Sequence, residues 1–181
     1  MKRALYLITL IAATTFLACG ESEVEKFSDE VKTTSLKGLE ELSLTDYGYD
    51  LSIMVPRSDM NGAAEVSLTG RGTLEIVIGL DYGVEIMFGD GDIGLLKTDL
   101  EENLVFKSEI VKEEKNALIY TQDIPDSGVK IQNHFMYRAE VGLNIYEVKD
   151  IAGREYGSGM IEKMLESAKT IKATTFLKVV A

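Results

Sequence analysis

Tryptophan is missing from these 181 residues, proline appears twice, and histidine and cysteine once each. Each scarcity excludes something. One cysteine makes no internal disulfide, so the chain is not a disulfide-stapled scaffold. A single histidine, His134, provides no histidine-based metal cluster. With only Pro56 and Pro125 the chain is not proline-rich, and 45% hydrophobic residues, including eight tyrosines and six phenylalanines, suffice for a packed core rather than disorder. Basic residues are short as well: 19 against 30 acidic ones, a net charge of −11. Phosphate binding needs clustered Lys and Arg, so nucleic acid is not the expected partner. The acidic body is equally unsuited to lying flat on anionic lipid. No apolar run reaches the roughly 20 residues that a membrane-spanning helix needs.

The apolar run that is present, Ala4 to Ala18, follows Met1-Lys2-Arg3 and precedes Glu21, Glu23 and Glu25. A short basic segment before an apolar core of this length has the form of a secretory signal peptide, here residues 1–18. The lone Cys19 comes directly after it. In an exported protein a leftover thiol pairs between molecules or stays reactive. A third fate fits its position. Phe16-Leu17-Ala18-Cys19 resembles the lipobox of bacterial lipoproteins, departing from it in having Phe16 where leucine is usual and Leu17 where a small residue is usual. That resemblance implies cleavage before Cys19 and lipidation of its sulfur with palmitate-class chains. Each buried methylene contributes about 0.8 kcal/mol, and one chain alone holds only marginally. The two or three chains that the resemblance implies make the attachment to the membrane stable. No aspartate follows Cys19, and Glu21-Ser22-Glu23-Val24-Glu25 resembles the surface-export signal of Bacteroidota lipoproteins. The implied address is the outer membrane of a Gram-negative bacterium, on its periplasmic or surface face.

Residues 19–45 are polar and acidic and read as a tether, with a loose amphipathic helix near Ser35–Leu42 as an alternative. Residues 46–181 are expected to form one domain. Tyr49, Leu51, Ile53 and Val55 alternate along a strand that ends at Pro56. Strands are expected over 64–68, 73–79, 83–88, 105–111, 117–122, 129–141 and 143–149, several joined as hairpins. Ile93, Leu96, Leu100 and Leu104 recur at helical spacing, as do Ile161, Leu165, Ala168 and Ile171, with Ser158 placed to cap the second helix. A short apolar tail over 174–181 is a candidate edge strand. The sum is an α+β fold: an antiparallel sheet of six or seven strands with a mid-chain helix and a C-terminal helix. The opening YDLSIMVP, the later ALIYTQ and HFMYRAEV and the closing MIEKMLESAKTIK resemble the PsbP-like fold. That family includes plant photosystem extrinsic proteins and exported bacterial proteins of the DcrB type. The resemblance spans about residues 47–173 and implies a PsbP-like sandwich. Arg57-Ser58-Asp59 stands where the family has a tryptophan, and no binding site of the family carries over.

Motifs that suggest chemistry have plainer explanations. Asp90, Asp92 and Glu101 have partial EF-hand spacing, but Gly94 and Leu95 occupy the places of a ligand and of the turn glycine. Asp92 reads instead as a helix cap. Gly70-Arg71-Gly72 and Gly157-Ser158-Gly159 lack the third glycine and the βαβ setting of a dinucleotide fingerprint. His134 has no serine on a nucleophile elbow to serve and reads as a strand-face residue. Phe135, Tyr137, Tyr146 and Tyr156 either edge the core or line a cleft between sheet and terminal helix. No catalytic, cofactor-binding or metal-binding residue is assigned. The expectation is a non-enzymatic binding or scaffold module of the cell envelope, held to the membrane through Cys19 and meeting an envelope protein partner. The alternatives are a small-ligand carrier using a cleft between sheet and terminal helix, or an envelope enzyme working with carboxylates. Metabolic labelling with a fatty-acid analogue is expected to mark the wild-type chain and leave Cys19→Ser unmarked; an unlabelled wild type would remove the anchor.

Overall fold

The computed structural model describes residues 38–174. Cys19, the signal peptide, the first part of the tether and the tail 175–181 lie outside the described residues. The chain begins with β1 (Leu39–Ser43), a 3-10 turn at Thr45–Tyr47 and β2 (Leu51–Pro56), followed by the single turn α1 (Ser58–Asn61). Next come β3 (Glu65–Leu68), β4 (Leu74–Ile78), β5 (Tyr82–Phe88) and the helix α2 (Ile93–Glu102). Two hairpins follow, β6 (Lys107–Glu114) with β7 (Ala117–Asp123) and β8 (Gln132–Val141) with β9 (Asn144–Asp150). The helix α3 (Ser158–Ala168) and a two-residue β10 (Lys172–Ala173) end the described chain.

The fold is α+β. Seven antiparallel strands form one sheet in the order β3-β4-β5-β9-β8-β7-β6, and a second sheet has the order β1-β2-β10. The YDLSIMVP segment belongs to the smaller sheet, between β1 and β10. β1 falls inside the span expected to be tether, and its residues pair with β2 rather than forming an amphipathic helix. The leucines of this segment, Leu39 and Leu42, lie three apart and give no strand period; the β2 pairing decides its form.

The strand period also decides what the large sheet buries. Leu74, Ile76 and Ile78 of β4, Tyr82, Val84 and Ile86 of β5, Tyr146 and Val148 of β9, and Phe135 and Ala139 of β8 share one face, and all are buried. Leu51, Ile53 and Val55 of β2 join the same core. So do Ile161, Met164, Leu165 and Ala168 of α3, which recur at helical spacing. Each such side chain contributes roughly 1.5–3 kcal/mol on burial. Fully buried Ser167 sits between the layers: it shares a hydrogen bond with Tyr82 Oη (2.8 Å) and donates to the Met54 carbonyl of β2. Helix, large sheet and small sheet thus meet at one hydroxyl.

Both helix starts were legible, but only one cap was. Asp92 Oδ1 accepts the Leu95 N–H at 2.9 Å, as a cap should. At α3 the capping residue is Gly157, without a side-chain bond, and Ser158 is already the first helical residue. α3 also stops at Ala168, short of Ile171 in the helical spacing, because Thr170 turns the chain: its hydroxyl donates to Ser167 O and accepts from the Met54 N–H at 2.8 Å. Lys172 and Ala173 then pair with β2, so the last strand begins before the apolar tail. On the opposite face of the large sheet α2 packs against β6, fastened by Lys97 Nζ to Glu113 at 2.9 Å. Leu118 and Met136, paired across β7 and β8, are buried on that face. β6 is an edge strand with a bulge between Ile110 and Lys112. No helix among the described residues is long and apolar enough to cross a membrane.

One glycine is set by close approach. A Cβ at Gly83 would lie 2.1 Å from Tyr156 Oη and 3.2 Å from Ile151 Cδ1. The Tyr156 ring occupies the space that any side chain at position 83 would need. Its hydroxyl is buried and has no hydrogen-bond partner, so removing it costs little. Gly83→Ala is expected to destabilise the fold by roughly 1–3 kcal/mol through overpacking. Gly83→Ala combined with Tyr156→Phe should recover most of that loss in urea unfolding. No recovery in the double variant would show that the clash lies elsewhere.

Candidate functional site

Alternation that sends the apolar residues of β4, β5 and β9 inward sends Glu75, Glu85, Met87, Glu147 and Lys149 outward. Glu75 and Glu85 stand directly opposite each other across the β4–β5 pair, and Glu85 stands opposite Lys149 across β5–β9. Directly opposed side chains have Cβ atoms about 4.5–5.5 Å apart, and like charges so placed repel. Lys149 answers that repulsion: its Nζ lies 2.9 Å from Glu147 Oε1 and 3.4 Å from Glu85 Oε1. Burial raises the Glu85 carboxyl above its ordinary value; Lys149 pulls it back in part, and the charges of Glu75 and Asp150 push the same way as burial. Burial lowers the Lys149 ammonium, but the bond to Glu147 and the charges of Glu147 and Glu85 outweigh it and hold it above the usual lysine range.

Glu75, Glu85, Met87 and Lys149 floor a cleft of about 590 Å³. The β3–β4 turn forms one wall with Thr69, Arg71 and Thr73, and Phe88 stands at one end. The turn is tied down twice: Thr69 N–H donates to Thr73 O at 2.9 Å, and Tyr49 Oη donates to Gly72 O at 2.6 Å. Phe88 is the last residue of β5 and is 61% exposed. It stacks against Tyr49 at 5.5 Å between centroids and lies 4.7 Å from Tyr146. Aromatic groups of this kind gain about 0.5–1.5 kcal/mol per pair beyond area burial. By alternation Phe88 falls on the side of Ile86 and Tyr146, so its ring lies on the opposite side of the sheet from Glu85 and Lys149.

A second polar group lies at the other end of β8 and β9. Asp150 is buried; its Oδ1 accepts the Phe135 N–H at 2.9 Å and its Oδ2 lies 2.8 Å from His134 Nδ1. A carboxylate only accepts, so the proton sits on Nδ1. Nε2 is buried without a partner. The Tyr120 ring covers the imidazole at 5.3 Å between centroids, and burial raises the Tyr120 phenol above its ordinary range. With its free nitrogen sealed away, His134 reaches no solvent-facing nucleophile. The pair works as a structural clasp between β8 and the end of β9. Tyr156 lies on the loop that follows; burial pushes its phenol up to about 12 against the partial pull of the Arg154 charge.

The residues singled out in the sequence are scattered. Cys19 lies outside the described residues. Asp92 caps α2 and Glu101 is on the helix's last turn; among the described residues no three Asp, Glu, His or Cys side chains converge on a point that could hold a metal. Gly72 belongs to the β3–β4 turn and Gly157 to the start of α3. Phe135 is in the core, Tyr146 is in the aromatic group with Tyr49 and Phe88, Tyr156 covers Gly83, and Tyr137 is half-buried against the core. They do not line one cleft. The α3 side chains facing the sheet are wholly buried among the sheet's own.

The cleft on the outer face was missed, although half its signal was in the sequence. Residues 73–79 and 83–88 read as a hairpin, and Glu75 and Glu85 lie equally far from its turn at Leu80. Pairing by register would have set them face to face. Lys149 comes some 60 residues later in the chain, and only the β5–β9 pairing brings it in. No protein-family profile matches the chain, and no curated protein or solved structure does either.

A raised carboxyl pKa makes a definite demand on stability. The folded state holds the Glu85 proton more tightly than the unfolded chain, so stability falls as pH rises from the ordinary value of 4.5 through the folded value. Glu85→Gln lacks this dependence. Its stability relative to wild type should therefore climb between pH 4 and neutrality and then level off, read by urea unfolding at each pH. A difference that is flat, or falls, with pH would show that Lys149 over-compensates the burial.

Proposed function

We propose that the protein is an exported, lipid-anchored binding module of the bacterial cell envelope, with a domain of PsbP-like type. The observation that carries the binding role is the cleft on the outer face of β4, β5 and β9, where apolar Met87 lies among fixed side chains of both charges. Sites that take small molecules or polymer segments combine apolar surface with a few placed polar groups on this scale of volume, about 300–1,000 Å³. The anchor rests on Phe16-Leu17-Ala18-Cys19 and the apolar run before it, with the outer membrane as the proposed address. The PsbP-like assignment rests on the quoted segments and on their order: a strand ending at Pro56, hairpins, then a closing helix on the sheet.

One observation favours a second reading, an envelope enzyme using carboxylates. Glu75 and Glu85 face each other in the cleft, and burial keeps Glu85 more readily protonated than an ordinary glutamate. A protonated and an ionised carboxyl side by side make an acid–base couple for hydrolysis by water.

Full-length chain with Cys19 intact, cross-linked in whole cells and recovered from membranes, should bring down an envelope component. Met87→Ala, fractionating and folding like wild type, should not. Recovery no greater than from a chain carrying only residues 1–37 overturns the binding role. Release of an altered component by wild type, and of an unaltered one by Glu85→Gln, would decide for the enzyme.

A further inference from the structure

Resting on the binding role above, we propose that the outer-face cleft takes a short peptide with free termini, its ammonium held by Glu75, Glu85 and Thr73 and its carboxylate by Arg71. Three observations converge on this class of ligand. The first is which charges are left over. Lys149 is already engaged by Glu147 and Glu85, at 2.9 and 3.4 Å. Glu75 stands opposite Glu85 and has no cation within ion-pair distance among the described residues. Arg71, on the wall of the same cleft, has no carboxylate partner among them either. One cleft thus holds an uncompensated acidic floor and an uncompensated basic wall. A simple cation would satisfy only the first and a simple anion only the second, and the acidity of the chain opposes the anion further. A ligand with a charge of each sign answers both.

The second is a hydroxyl. Thr73 is only 6% exposed. Its N–H donates to Thr69 Oγ1 at 3.2 Å and its carbonyl accepts the Thr69 N–H, but its own hydroxyl has no hydrogen-bond partner among the described residues. Strand alternation puts that side chain on the side of Glu75, away from Leu74, and Thr73 lines the cleft. A buried hydroxyl without a partner costs free energy, so one that opens into a cleft marks where a ligand's polar group belongs. A primary ammonium has three N–H donors, and Glu75, Glu85 and Thr73 Oγ1 supply three acceptors on one face. A quaternary ammonium has no N–H to give them. The third is spacing. Arg71 lies four residues before Glu75, beyond Thr73 and in the turn, so the places for anion and cation are separated along the cleft. A single amino acid holds both its charged groups on one carbon, whereas a chain of two or three residues spreads them. Met87 and Ala152 give the same cleft apolar surface for small side chains. The guanidinium fork of Arg71 suits a carboxylate, which it takes with two parallel bonds.

Trialanine with free termini is the probe, compared with its N-acetylated and its C-amidated forms by saturation-transfer NMR titration on the full-length chain in detergent micelles at neutral pH. Trialanine should bind, and acetylation should weaken it by roughly tenfold or more, the loss of hydrogen bonds to a charged group. Amidation should weaken binding to wild type by a similar factor. Arg71→Ala, at an exposed turn residue, should bind the free and the amidated peptide alike. Glu75→Gln should lose most of the preference for the free amine, and Leu143→Ala, an exposed residue on the β8–β9 turn, should behave as wild type. The inference is overturned by no binding of trialanine at millimolar concentration, by acetylated peptide binding as well as the free one, or by an Arg71→Ala chain that keeps the preference for the carboxylate. Stronger binding of phosphoethanolamine, which carries the same two signs on a lipid-type headgroup, overturns it as well. Should an envelope component be recovered from membranes in a Met87-dependent way while trialanine fails, the binding module stands and only its peptide ligand falls.

Discussion

A strand shows its side chains to two sides in turn, and in this protein β4, β5 and β9 use that rule to separate two jobs. Leu74, Ile76, Ile78, Val84, Ile86 and Val148 go to one side, where α3 and β2 close over them. The residues between them have no choice but to face the other way. Burial of the inner face is worth several kcal/mol per strand at roughly 1.5–3 kcal/mol per large side chain. That is ample to hold Glu75 opposite Glu85, a pairing that costs a fraction of it. The outer face is thus charged and mutually strained because the inner face is packed, and Lys149 is the residue that makes the arrangement tolerable.

The same logic explains what the sequence disclosed. Local periodicity was sufficient for nearly every element: the hairpins, the helix after Asp92 and the buried stripe of α3 all declare themselves within a dozen residues. Met164, three residues after Ile161, is buried in the same stripe. Pairings between distant segments were not legible. Nothing near Tyr49–Pro56 says that this strand leaves the large sheet for a smaller one, since its partners lie at Leu39–Ser43 and at Lys172–Ala173. The first lies in a polar and acidic stretch, residues 19–45, that reads as a tether. The second was hidden behind helix-forming neighbours. The cleft follows the same division, with its carboxylate pair local and its lysine remote.

Buried polar groups show how the loop after β9 is fixed. Asp150 holds the backbone of Phe135 and the ring of His134, and Asn133 Nδ2 donates to Tyr156 O at 3.0 Å. Tyr156 then lies over Gly83. Each group orders the next, so the path from β9 into α3 is set before the helix begins. A lone histidine invites a catalytic interpretation, but its neighbours use it up as a strut. Sealed polar networks of this kind specify one arrangement of a core more than they stabilise it.

The bulge in β6 has a consequence for neighbouring molecules. An outermost strand offers a row of unused amide and carbonyl groups, which another chain could extend into a continuous sheet. Between Ile110 and Lys112 the spacing of that row is broken, and lysines and glutamates flank the break. A straight newcomer matching one half of the strand falls out of step with the other. Copies of the domain can therefore stand side by side without zipping into fibrils along this border.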